Sequence, residues 1–284
     1  MWSNSGSAFI GCDASYEEAA AVLFGAPFDG TTSFRPGARF GPHAIRSDAF
    51  GIETYSPYQN RDLTELRLHD VGDLELPFGN ADAALSAIEV HTRKLLGDGK
   101  TPVLLGGEHL VTLGALRAVH AAHPGLHVVQ FDAHADLRDD YLGEKLSHAC
   151  VMRRAWELLG DGAVHQFGIR SGEQAEFAFA AAHTELHPFA FDGLSDTVRA
   201  LGDTPVYFTL DLDVLDPSAF PGTGTPEPGG VAFRELLQAV LALGPLNIVA
   251  FDLTELSPPY DPTGASTAAA CKILRELLLL TIRK

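Results

Sequence analysis

The chain is short of sulfur and of positive charge. Only three of its 284 residues are cysteine (Cys12, Cys150 and Cys271), and no two of them make a C-x-x-C pair. That spacing excludes a disulfide framework and predicts a reducing, cytoplasmic setting. Lys and Arg number 20 against 37 Asp and Glu, a formal net charge of −17. A surface of that sign repels nucleic-acid phosphates and anionic membrane faces, so neither is an expected partner, whereas metal ions and small cations are attracted. No stretch approaches the roughly 18 uninterrupted apolar residues of a membrane span. Residues 1–11 also lack the basic start and long apolar run of a signal peptide. No repeat, low-complexity tract or long linker divides the sequence, which predicts a single domain over residues 1–284.

What is present suits a globular core. Hydrophobic residues make up 46% of the chain and are mixed with charge, far from the composition of disorder. Short apolar runs predict strands over 21–27, 68–72, 102–105, 126–131, 164–169, 186–191, 206–210 and 247–251. Apolar residues at helical spacing predict helices over 81–96, 231–243 and 266–282. Runs such as Val103-Leu-Leu and Ile248-Val-Ala-Phe are apolar at nearly every position, as parallel strands covered on both faces are. Alternating strand and helix predicts right-handed βαβ crossovers and a parallel sheet.

The polar clusters fall where these strands end. Gly106-Gly-Glu-His109, Asp132-Ala-His-Ala-Asp136, Asp211-Leu-Asp213 and Glu255-Leu-Ser-Pro-Pro each follow an apolar run. Ligands of open α/β sheets bind outside the carboxyl ends of the strands, so four such clusters are expected to converge on one crevice. In an extended chain residues two apart share a face, which lets Asp132, His134 and Asp136 point together, and Asp211 with Asp213. One acidic residue after a strand is ordinarily a cap or a turn, and a lone His109 at a helix start is ordinarily a cap. Their number gives them weight. Four carboxylates so close repel strongly unless protonated or countered by cations, and two divalent ions balance their charge. With two imidazoles and no thiolate, the donor set suits Mn²⁺ best and Mg²⁺, Fe²⁺ or Zn²⁺ less well. A pair of metals about 3.5–4 Å apart is a hydrolytic clamp. His120, His123 and His127 are crowded too, but they straddle a helix end and a loop, where cationic capping is the expected role.

These motifs, together with Ser147-His148-Ala and Gly222-Thr-Gly-Thr-Pro-Glu-Pro-Gly-Gly230, resemble in order those of the ureohydrolases, the family of arginases and agmatinases, from Gly25 to about Pro259. The resemblance implies a three-layer α/β/α domain around an eight-stranded parallel sheet, two Mn²⁺ ions per subunit and a homo-trimer or homo-hexamer. It assigns His109, Asp132, Asp136 and Asp213 to one ion or the bridge, and His134 and Asp211 to the other ion or the bridge. It also places His148, Glu255 and Asp136 in catalysis, with Glu255, His148 and Thr225 at the substrate. The family's Gly-Gly-Asp-His-Ser reads Gly106-Gly-Glu-His-Leu here, which bears on the bonding around His109. Thr31-Thr-Ser-Phe-Arg-Pro-Gly is also ureohydrolase-like and is expected near the mouth or at a subunit contact.

A guanidinium is cationic and resonance-stabilised, so its hydrolysis needs a strong nucleophile, a carboxylate to hold the planar cation and an acid for the departing amine. Glu255 suits the second task because a carboxylate matches the guanidinium fork. His148, titrating near neutral pH, suits the third. Arginases resemble one another in the loop after Asp-Ala-His-x-Asp, where an Asn and a Ser take the α-carboxylate. Here that loop is Leu137-Arg-Asp-Asp-Tyr-Leu-Gly-Glu-Lys-Leu, which has neither and is similar to agmatinases. Asp139, Asp140 and Glu144 are expected to favour a distal amine, with Arg138 and Lys145 opposing them. The expected reaction is agmatine to putrescine and urea, in polyamine biosynthesis. The alternatives are an arginase, a guanidinobutyrase, a formimidoylglutamase or a silent metal-binding scaffold. Deacetylases related to arginases hold one catalytic metal with fewer carboxylates, and the second Asp of each cluster argues against them.

Overall fold

The computed structural model describes residues 2–3 and 8–282. The strands, in chain order, are β1 (Trp2–Ser3), β2 (Ala21–Ala26), β3 (Tyr55–Ser56), β4 (Arg61–Asp62), β5 (Leu68–Leu74), β6 (Thr101–Gly106), β7 (His127–Phe131), β8 (Val164–Ile169), β9 (Glu185–Pro188), β10 (Pro205–Asp211) and β11 (Asn247–Thr254). The helices are α1 (Gly41–Asp48), α2 (Ala81–Gly97), α3 (Thr112–Ala122), α4 (Val151–Leu159), α5 (Gln174–His183), α6 (Leu194–Leu201), α7 (Phe233–Ala242) and α8 (Ala265–Thr281). The main sheet runs β1-β5-β2-β6-β11-β10-β7-β8-β9. All neighbours from β5 to β9 are parallel, and only β1 joins antiparallel, on β5.

All eight strands expected from the sequence are in that sheet, and they are its eight parallel members. Alternate side chains feed opposite faces. Val103, Leu105, Phe208 and Leu210 pack with α1, α6, α7 and α8. Leu104, Tyr207, Val22 and Phe24 pack with α2, α3, α4 and α5. The result is the three-layer α/β/α arrangement. Two boundaries moved for physical reasons. β9 stops at Pro188 because Phe189 takes a positive φ of 71°, which ends the extended run. β11 continues to Thr254 because Asp252 and Thr254, polar as they are, stay buried in the ladder. Neither β1 nor the β3–β4 hairpin was foreseen, since two-residue strands carry no periodicity. Among the described residues no helix is long and apolar enough to cross a membrane.

Chain order sets up the crevice. After β6 the chain skips two places to lay down β7, β8 and β9, and β10 and β11 later fill the gap. The carboxyl ends of β6, β11, β10 and β7 therefore lie side by side, and these are the four strands whose ends carry the polar clusters.

Candidate active site

His109 leads a 3-10 turn after β6, and Glu255 follows β11. Asp211 ends β10, with Asp213 in the turn beyond it. Asp132, His134 and Asp136 follow β7. His109 Nδ1 lies 3.0 Å from Asp132 Oδ2, 3.0 Å from Asp136 Oδ2 and 3.5 Å from Asp211 Oδ2. His134 Nδ1 lies 3.0 Å from Asp213 Oδ2 and 3.6 Å from Asp132 Oδ1. All six residues expected from the sequence thus meet: five form two groups that share Asp132, His109 with Asp211 and His134 with Asp213, and Asp136 joins through His109. The resemblance, which left the bridging positions open, had set Asp213 with His109 and Asp211 with His134; here Asp211 groups with His109 and Asp213 with His134. The turn at Leu212 explains it, since Asp211 accepts the backbone N–H of Asp213 at 2.9 Å while Asp213 accepts that of Ala133 at 3.2 Å, drawing it towards the His134 side.

The electrostatics are those of a site built for cations. Burial pushes Asp136 up to about 7, with the Asp132 charge adding to it. Burial and the Asp213 charge push Asp211 well above the carboxylate range. Burial alone would lower His109, yet its bonds to Asp132 and Asp136 hold it well above the usual imidazole range. His134 follows the same logic, with burial outweighed by Asp213 and Asp132. Protons on such groups stand where dications fit better. The donor set is hard oxygen and imidazole nitrogen without sulfur, as suits a first-row divalent metal.

Beneath these ligands lies a polar row that the sequence reading missed. Asp252, Thr209, Gln130 and Gln166 are register partners across β11, β10, β7 and β8. His109 Nε2 meets Thr209 Oγ1 at 2.9 Å, and that hydroxyl donates to Asp252 at 2.6 Å. With its hydrogen so committed, Thr209 accepts the Nε2 proton, so that Nδ1, where a metal ion replaces the proton it shares with the carboxylates, would present its lone pair to that ion. Gln130 donates to Asp132 at 2.6 Å and is itself held by Gln166 at 2.7 Å. The legible signal was a buried polar residue interrupting each apolar strand, blurred in β8 by His165 beside Gln166.

A cavity of about 270 Å³ opens above the cluster, lined among others by His148, Glu255, Thr225, Arg138, Tyr141 and Glu173. Glu255 stands at φ 65° and Asp136 at φ 55°, left-handed backbone that an L residue adopts only when its surroundings force it. Glu255 Oε1 accepts the His109 N–H at 2.8 Å. Burial, then the charges of Glu108 and Asp213, push Glu255 well above its ordinary range. Burial and the charge of His134 push His148 down to about 4. Thr225 donates to Asp213 at 3.3 Å. Glu108, the departure from the family's Asp, turns away from the His109 ring and takes the Thr31 and Thr32 hydroxyls instead. Burial lifts it to about 7 against those donors. His120 lies in the last turn of α3, and His127 stacks on His165.

The loop after Asp136 does not present the acids expected of it. Asp139 is taken by Arg154 at 3.0 Å, Asp140 accepts the Gly143 N–H at 3.1 Å, and Glu144 stays in the turn that pairs with Tyr141. The acids that line the cavity away from the ligand cluster and Glu255 are Glu173, the N-cap of α5, and Glu176 in its first turn.

Carboxylates packed this tightly around imidazoles at the strand ends of an α/β/α sheet define the class of binuclear metal hydrolases. The chain belongs to the Arginase family, whose sequence model matches residues 19–280. It is similar to an agmatinase of Halalkalibacterium halodurans (45% identity, covering 97% of this chain and 96% of the relative) and to one of Bacillus subtilis (45%, 97% and 96%). A crystal structure from Clostridium difficile superposes with a TM-score of 0.92 at 48% identity, over 94% of this chain and 98% of that one.

Proposed function

We propose that the protein hydrolyses agmatine to putrescine and urea, with two Mn²⁺ ions held by His109, Asp132, Asp136, Asp211 and Asp213 together with His134. When bound, the ions supply Lewis acidity, stabilising developing charge and activating a water for attack at neutral pH. The chain's residues do the rest. Glu255, with Oε1 fixed by the His109 N–H, turns its free oxygen to the guanidinium and is held ionised by that cation. Asp136 accepts the proton of the attacking water. As the guanidino carbon bonds to oxygen and its bond to the alkyl nitrogen breaks, His148, neutral at rest, takes up at Nε2 the proton that Asp136 received from the water and passes it to the departing amine. Thr225 orients Asp213 beside the reacting carbon.

The observation that carries agmatine over arginine is the mouth. Glu173 and Glu176 face the cavity with Arg138 between them, 3.0 Å from Glu173 and 3.5 Å from Glu176. Glu176 is buried and already accepts the Leu137 and Glu173 N–H groups, which leaves Glu173 as the acid open to a ligand. Two carboxylates against one guanidinium still leave an excess negative charge, which draws a distal ammonium and repels the carboxylate of arginine or guanidinobutyrate. The agmatinase relatives point the same way. Urea release from agmatine, arginine and guanidinobutyrate, with and without added Mn²⁺, tests the reading; equal or faster turnover of arginine overturns it. Because Glu173 is solvent-exposed, Glu173→Gln is expected to raise KM for agmatine only about fivefold, the equivalent of about 1 kcal/mol, with kcat unchanged. We further propose one domain over residues 1–284, a cytoplasmic setting suited to its three free buried thiols, and assembly into a homo-trimer or homo-hexamer.

A further inference from the structure

Glu108 is fully buried, and its carboxylate bonds to the loop that begins at Thr31. Oε1 accepts the Thr31 hydroxyl at 2.6 Å, while Oε2 accepts the Thr31 N–H at 2.9 Å and the Thr32 hydroxyl at 3.2 Å. With a backbone N–H and the Thr32 hydroxyl both directed at Oε2 the carboxylate is placed as an acceptor, so the single hydroxyl hydrogen of Thr31 is committed to Oε1. The Thr31 oxygen can then only accept from its other neighbours. These are the backbone N–H of His148 at 3.1 Å and His148 Nδ1 at 3.3 Å. An acceptor facing a ring nitrogen calls for N–H there, which leaves the lone pair on Nε2, 3.2 Å from Ser33 Oγ on the cavity wall. The other neighbour of Nδ1 is Ser147 Oγ at 3.4 Å, a longer contact to a hydroxyl that can accept as well as donate and so fits the same tautomer.

We propose that Glu108, acting through Thr31, is a positioning residue that fixes the orientation of His148 and keeps its proton on Nδ1 and its lone pair on Nε2. The arrangement spares His148 any rearrangement during turnover. Nδ1–H keeps the same acceptor whether or not Nε2 carries a proton, so Nε2 can load and deliver one without the ring turning. It also gives a use to the Thr31-Thr-Ser segment, whose three hydroxyls all meet Glu108 or His148. The inference rests on His148 serving as the proton donor proposed above.

The test is a double-mutant cycle on the Mn²⁺-loaded enzyme. An amide at position 108 donates where a carboxylate accepts, so Glu108→Gln is expected to lower kcat about 10–100-fold, the range of outer-sphere partners, with KM and bound metal unchanged. Thr31→Val should do the same, and Thr31→Ser should recover most of that loss. In a His148→Ala background Glu108→Gln should cost nothing more, because the group it positions is gone. An equal fold loss in both backgrounds overturns the proposal, as does loss of bound metal or a Thr31→Ser variant as slow as Thr31→Val. If Glu108→Gln does not fold, the two Thr31 variants in both backgrounds decide. Wild-type rates separate this from the substrate reading. An enzyme silent on agmatine but active on another guanidine sinks only the substrate, and the cycle runs on that guanidine. One inactive on all of them sinks both.

Discussion

Asp132 is the residue on which the two donor groups meet, with Oδ2 towards His109 and Oδ1 towards His134. Its loss should therefore remove both ions, whereas loss of His134 should spare the His109 side. Asp132→Ala is expected to carry less than half the wild-type metal by elemental analysis and to lose more activity than the roughly 10–100-fold that an outer-sphere partner costs. His134→Ala should retain about one ion. Full metal content in Asp132→Ala would refute the shared position. At this scale the sequence was most legible where chemistry is concentrated: two-residue spacing after apolar strands set five of the six expected ligands on shared faces, and His109 drew its weight from their company. It was least legible where polar groups act through others. Thr209 and Gln130 read as ordinary strand residues, and Glu173 lies in a segment whose partner, Arg138, is 35 residues away along the chain in number but adjacent in space. Asp139 and Asp140 misled because the sequence could not reveal that Arg154 and the turn at Gly143 already satisfy them.

Among the elements, the seam between β2 and β6 leaves no room for a side chain just beyond β6. Gly107 packs so closely on the chain after β2 that an added Cβ would stand 2.0 Å from the Phe28 carbonyl oxygen, and backbone cannot step aside as a side chain can. Its own carbonyl accepts the N–H of Glu255 at 2.9 Å, while Glu108, next in line, donates to Phe28. Gly107→Ala should therefore displace His109 and Glu255 together. Overpacking of this kind costs about 1–3 kcal/mol, read as a lower urea midpoint at unchanged m-value, and activity should fall more than stability does. Unchanged kinetics would mean that the seam is slack. The central parallel strands were readable from their apolar runs, because burial on both faces leaves no ambiguity of period; β5 and β9, half-exposed towards the sheet edges, carried only short apolar cues. Five helices were not, α3 and α4 among them; their sequences run apolar into the preceding site loop, so no clean stop and start marks them.

For the whole molecule, acid is the informative stress, and it works against two opposing terms. Lowering the pH discharges part of the −17 net charge, which relieves self-repulsion and favours the compact state. Against it stands His91 on α2, packed edge-on against Phe24 of β2 with ring centroids 4.7 Å apart. Burial, with a smaller contribution from Lys94, pushes His91 down to about 4 from its ordinary 6.5. Between those two values the unfolded chain binds a proton that the folded one does not, so stability falls as pH falls, by about 1.4 kcal/mol per unit and roughly 3 kcal/mol across the window. Above pH 6.5 both states are neutral at this position and the effect vanishes. The charge relief is common to wild type and a His91→Leu variant, so the difference between their urea midpoints from pH 7 to pH 4 isolates the histidine. The wild type is expected to lose stability relative to the variant steadily below pH 6.5. Parallel curves would show that His91 takes up its proton in place, with α2 yielding to let water reach it.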